Sequence, residues 1–177
     1  MKKSMGLKPL VIILIIIIGL YVVAELLTLN ERKLNRDLSD FDIEQVDLIK
    51  IIRPKNDVSI ISRKSTESWE TSYGKDQFQS QKTTINELLA SISNLKSEDI
   101  ATSEKAKWGD YDVADSSAIF ISVESNKSTI YKLLIGKTKN NSSGKTTTFV
   151  RLPGEETVYV INGDLKAKFS PEMDAFH

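Results

Sequence analysis

The chain has 177 residues, 40% of them hydrophobic and 27% charged, with 24 basic and 24 acidic side chains, enough for one modest domain with a real core and too few for two. It has no cysteine and a single histidine, His177, which excludes disulfides, thiolate catalysis, zinc–sulfur sites, an acylated lipoprotein anchor and histidine chemistry inside the domain. Lys2, Lys3 and Lys8 precede every acidic residue, so the chain from Glu25 onward carries a net charge of −3, and its interspersed charges offer no footprint for nucleic acid.

Chain order begins with the strongest local signal. Between Lys8 and Glu25 lie 16 uncharged residues, with an unbroken Ile/Leu/Val run over 11–18. A membrane-spanning helix takes roughly 17–25 residues. Snorkelling by Lys8 and the apolar surface of Leu26, Leu27 and Leu29 extend this one to that length. The segment predicts a signal-anchor over 1–29 that contacts the membrane through residues 9–29, with Pro9 and Leu29 at its ends. A cleaved signal peptide, cut after Val22-Val23-Ala24, is the competing reading; the long apolar run favours the anchor. Three basic residues precede the segment and three (Arg32, Lys33, Arg36) follow it. The unbalanced positive start tips the N-terminus to the cytoplasm and the domain outside it.

Residues 30–42, "NERKLNRDLSDFD", read as a polar stalk, and the domain is expected over 43–177. The run "IEQVDLIKIIR" stops at Pro54, and a Pro-Lys-Asn-Asp turn into "DVSIIS" makes a hairpin. In "ESWETSY", Trp69, Thr71 and Tyr73 share one strand face. The period then changes: Ile85, Leu88, Leu89, Ile92 and Leu95 mark one face of an amphipathic helix, with Thr84 and Glu87 spaced as a capping box.

After a polar connection, Ile119, Ile121 and Val123 alternate, as do Tyr131, Leu133 and Ile135, with a turn at Ser125-Asn126-Lys127 between them. "TTTFVRL" turns at Pro153-Gly154 into "TVYVI", and Asn162-Gly163 leads to a short helix with Asp164 as its N-cap. Strands, one helix, more strands and a last helix predict an α+β domain of antiparallel meanders. Each half reads as strands followed by a helix, although the residues themselves do not repeat.

Several motifs suggest chemistry and fail on spacing. Gly-Lys-Thr occurs at 136–138 and at 144–146, but a phosphate-binding loop needs a glycine five residues before the Gly-Lys pair. Tyr131 and Lys139 stand at those places, and the β-branched run after Lys145 is strand chemistry where a helix N-terminus is needed. The chain is therefore not expected to bind a nucleotide. Two S-x-x-K matches, at Ser93 and Ser142, lack the accompanying motifs of serine acylases. Asp110, Asp112 and Asp115 lack the glycine and closing carboxylate of a calcium loop. Glu155 and Glu156 are expected to face solvent, and Trp69, Trp108, Phe120 and Phe149 to serve as core. No cofactor, metal or catalytic set is expected.

The order of several landmarks resembles the bacterial family known as domain of unknown function 4340. These are a tryptophan strand, the helix "INELLASISNLKSEDIA", the aromatic-Gly segment "KWGDYDV", "YKLLIG", "TFVRLPG", "TVYVI" and a terminal helix, over residues 67–177. Asp110 follows Gly109 where the family has leucine and then proline. Here Gly136 is expected to end a strand at a tight turn, and Arg151 to lie on the solvent face. The resemblance implies an N-terminally anchored, extracytoplasmic domain at the bacterial inner membrane, associated with auxiliary proteins of gliding-motility-type ABC transporters. The expected function is a non-enzymatic accessory or scaffold domain with an envelope-protein partner such as a transporter subunit. The alternative is a glycan- or lipid-binding module. The candidate partner-contact loop is that of Trp108, Gly109 and Tyr111.

Overall fold

The computed structural model describes residues 13–21, 23, 37–140 and 144–169. Two compact units divide the chain, Met1–Leu34 and Asn35–His177. In the first, residues 13–21 are helical and their side chains exposed. Among the described residues no helix is long and apolar enough to cross a membrane; residues 9–12, 22 and 24–29 of the expected anchor lie outside the described residues.

The second unit is built on one antiparallel sheet. Its strands are β1 (Leu48–Arg53), β2 (Asp57–Ser65), β3 (Ser68–Tyr73), β4 (Asp76–Ser80), β5 (Asp99–Thr102), β6 (Ile119–Ser125), β7 (Ser128–Asn140), β8 (Thr146–Arg151) and β9 (Val158–Asn162). They lie in the order β4-β3-β2-β1-β6-β7-β8-β9-β5. Helix α1 (Lys82–Ser93) follows β4, and α2 (Leu165–Phe169) follows β9. The sheet therefore contains the same unit twice, a four-stranded meander followed by a helix. The copies meet where β1 pairs antiparallel with β6, Ile51 opposite Ile121. Architecture repeats without sequence repeat because a meander asks only for alternating apolar residues and turns.

Alternation decides the faces. Ile49, Ile51, Ile61, Trp69, Ile121, Val123, Leu133, Ile135, Val150 and Ile161 point to one face and are buried with Ile85, Leu88, Leu89 and Ile92 of α1 and Leu165 and Phe169 of α2. Residues 37–41 join this core: Leu38 is buried, Phe41 packs against it, and Asp37 bridges to Lys96.

The hairpin turns form where expected. Asn126 and Lys127 take positive φ values of 51° and 62°, the left-handed pair that matches the twist of a two-residue hairpin. In the three-residue turn Pro54–Asn56, between paired Arg53 and Asp57, Lys55 and Asn56 are also positive, at 69° and 60°. Ala167 N–H donates to Asp164 Oδ1 at 3.0 Å, so Asp164 caps α2 as predicted.

Several expectations are corrected. Residues Ile43–Gln45 form a short 3-10 turn, and the first strand starts only at Leu48. The Thr84–Glu87 box is not the helix start: α1 begins at Lys82, with Gln81 at the N-cap and no side-chain cap bond. Strand β4 ends at Ser80 and leaves one residue before the helix, so the connection sets the start where local capping does not. Strand β4 itself, "DQFQS", carries almost no strand propensity of its own and exists through its pairing with β3. Gly136 does not end a strand. It lies within β7.

Candidate functional site

The segment between α1 and β6 carries the three residues expected to contact a partner. Strand β5 adds to the edge of the sheet beside β9, and the chain then crosses the face opposite the helices. Residues Lys105–Tyr111 form a 3-10 helix that ends at Asp112, φ 56°. Beyond it Val113 is fully buried with Phe149 and Val158, and Ala101, Trp108, Tyr111 and Val160 pack around them. This second small core exists because Phe149, Val158 and Val160 point away from the helices and need a cover.

Arg151 holds the cover in place. It is not on the solvent face, as its place in the alternation suggested, but only 3% exposed. Its Nε donates to Val113 O at 3.1 Å and its Nη1 to Glu155 O at 3.3 Å, and its Nη2 pairs with Asp115. Its guanidinium carbon lies 3.7 Å from the centroid of Trp108, whose Nε1 donates to Glu156 O at 2.9 Å. Arginine suits this place because one planar fork bonds three oxygens and stacks on an aromatic ring.

Gly136 supplies the clearance. A Cβ there would come within 2.1 Å of Tyr111 O and 2.6 Å of a Val113 methyl, so the crossing segment rests directly on the β7 backbone. The Tyr111 ring packs on Phe149, centroids 4.7 Å apart, and its hydroxyl donates to Ala101 O at 3.4 Å.

The structure thus brings Trp108 and Tyr111 together, both half-buried and both bonded to the domain, while Gly109 is exposed. Solvent meets Lys105, Ala106, Lys107, Gly109 and Asp110. Lys107 pairs with Glu104 at 2.7 Å, and that hydrogen bond raises the lysine's pKa. Arg151 was missed by sequence reasoning because its partners, Val113, Asp115 and Trp108, belong to another segment. The one available signal was an arginine two residues from Phe149, on the same strand face.

Other buried polar groups tie segments of the sheet together. Tyr159 donates to Glu155 Oε2 at 2.8 Å, so Glu155 is half-buried and not turned to solvent as expected. Burial, with the hydrogen bond to Glu155 second, pushes the Tyr159 pKa up to about 12. Arg53 donates to the Phe169 carbonyl at 2.8 Å and to Ser59 Oγ at 2.9 Å. Among the described residues no group of three histidine, cysteine, aspartate or glutamate side chains is placed to hold a metal ion. Thr146 begins strand β8, so a strand and not a helix follows Lys145, which pairs with Glu98 at 2.5 Å.

A family model described as Domain of unknown function (DUF4340) matches residues 69–177. The match begins inside β3, so β1 and β2, at the middle of the sheet, precede it. No curated protein and no solved structure matches the chain.

Proposed function

The chain belongs to the DUF4340 family, and we propose that it is a non-enzymatic, membrane-tethered accessory domain of a bacterial envelope complex, with an ABC-type transporter subunit as its partner. The observation that carries the reading is the exposed apolar helix of residues 13–21. Ile13, Leu14, Ile15, Ile16, Ile17, Ile18 and Leu20 are each about half exposed or more, and a stretch of that kind needs an apolar surrounding. The second unit adds support, since its buried arginines serve as ties between segments. The clamped turn at 105–110 offers a fixed polar surface to a partner.

Two measurements test this reading. Single cysteines placed in the otherwise cysteine-free chain, at Gly109 and at Ser4, are labelled in intact cells with an impermeant thiol reagent. Labelling at 109 alone is expected; labelling at neither position, with the protein in the soluble fraction, overturns the tether. Cross-linking through a C-terminal tag, followed by gentle membrane solubilisation, is expected to recover a transporter or another envelope protein in stoichiometric amount. A tagged protein recovered alone overturns the accessory role.

One feature favours a ligand-binding module instead. A depression of about 400 Å³ is lined by Leu38, Ile130, Tyr131, Leu152 and Pro153 among others. That volume is within the range of small-molecule sites. Saturable protection of Tyr131 from hydrogen exchange by a glycan or a short-chain lipid would favour this reading over the first.

A further inference from the structure

The two edges of the sheet are built differently. Strand β5 has four residues, starts with Asp99 and shifts register between Ile100 and Thr102. Short length, charge and irregularity are the devices that discourage a further strand. Strand β4 is one residue longer, with five, and carries no charge beyond Asp76 at its start. It pairs with β3 residue for residue, without a shift, and Gln77, Phe78 and Gln79 are uncharged. Among the described residues no strand lies beyond it.

The hairpin geometry says which groups face outward. Gly74 and Lys75 form a two-residue loop between Tyr73 and Asp76, which makes that pair a hydrogen-bonded one. Alternation along the ladder then directs the backbone groups of Phe78 and Ser80 toward β3. Those of Gln77 and Gln79 point away from the sheet, and both side chains are exposed.

We infer that β4 is a self-association edge, where two copies of this chain pair antiparallel about a two-fold axis through Phe78 and continue one sheet across both. In that register Gln77 of each copy stands opposite Gln79 of the other, and their outward N–H and C=O groups bond reciprocally. Phe78 meets its counterpart at a non-hydrogen-bonded position, where facing side chains come closest. Asp76 stands opposite Ser80, so no like charges oppose each other. A second copy therefore matches the edge in its outward backbone groups and opposes no like charges. The sheet already contains a junction of this kind, since its two meanders join through the antiparallel pairing of β1 with β6.

Two five-residue strands bury less than the roughly 1,200 Å² at which stable interfaces begin, so the dimer is weak and is best read by trapping. Cα atoms of a hydrogen-bonded antiparallel pair are about 5.5 Å apart, within disulfide range. The full-length chain is made as Gln77→Cys and as Gln79→Cys, and each is oxidised alone and as an equal mixture. Both positions are exposed, so the thermal unfolding midpoint under reducing conditions should match that of the parent. The expected result is a disulfide dimer in the mixture at least tenfold faster than in either chain alone. No dimer in the mixture overturns the inference. Equal rates in all three samples, or capture of a different protein at these positions in cells, overturn it as well.

Discussion

The guanidinium carbon of Arg151 lies 3.7 Å from the centroid of the Trp108 ring, joining two residues that sit 43 positions apart in the chain. This contact ties the crossing segment to the sheet and converts the most aromatic loop of the sequence into part of a core. Replacing Arg151 with Met keeps volume but leaves Val113 O and Glu155 O without their donor. We expect a loss of about 2–3 kcal/mol, measured by urea unfolding followed by circular dichroism. Trp108→Ala should show a coupling of about 1 kcal/mol with Arg151→Met in a double-mutant cycle. Strict additivity would mean that the stacked pair does not act as a unit.

Gly136 is required for clearance. Gly136→Ala places a methyl group against backbone, at Tyr111 O, and backbone yields less readily than a flexible side chain. The expected cost is about 2–3 kcal/mol. Gly109→Ala, where nothing lies within 4 Å of the added atom, should stay within about 0.5 kcal/mol of the parent. Thermal unfolding of the two variants side by side checks the contrast.

Thr71 Oγ1 and Ser80 Oγ share a buried hydrogen bond of 2.6 Å between β3 and β4. Removing one hydroxyl strands the other, so Thr71→Val and Ser80→Ala should each cost about 1–2 kcal/mol. The double variant should cost clearly less than the sum, because it buries no orphaned group. Denaturant midpoints of the three variants decide the matter.

Tyr159 bears on stability at alkaline pH. Tyr159 has its pKa pushed up to about 12, above the roughly 10 of an unfolded chain. Its contribution to stability is therefore full below pH about 10 and is lost as pH rises toward about 12, because the unfolded state releases the proton first. Burial raises Tyr131 in the same direction. Tyr159→Phe should flatten the fall of the urea midpoint above pH about 10, and an unchanged slope would show that Tyr159 takes no part in it.

Much of the fold was legible in the sequence, for a physical reason that individual residues make plain. Ile119, Ile121 and Val123 declare a strand face through a period of two, and Ile85, Leu88, Leu89 and Ile92 declare a helix face through a period of 3.6. Asn126-Lys127 and Asp164 announce a turn and a cap through their own side chains and backbone. Each of these signals is local, carried within a few bonds of the feature it sets.

The sequence by itself determined the antiparallel α+β class, the apolar N-terminal run, the amphipathic helix and the lack of cysteine or interior histidine chemistry. Only the tertiary structure decided that the halves join through β1 and β6, that β4 forms an edge, and that Arg151 is buried. Gly136, too, owes its place to a segment 25 residues earlier passing over it. These outcomes depend on which surfaces meet once the chain has closed on itself. A buried arginine and an exposed one look alike until the carbonyls of a distant segment arrive to bind it.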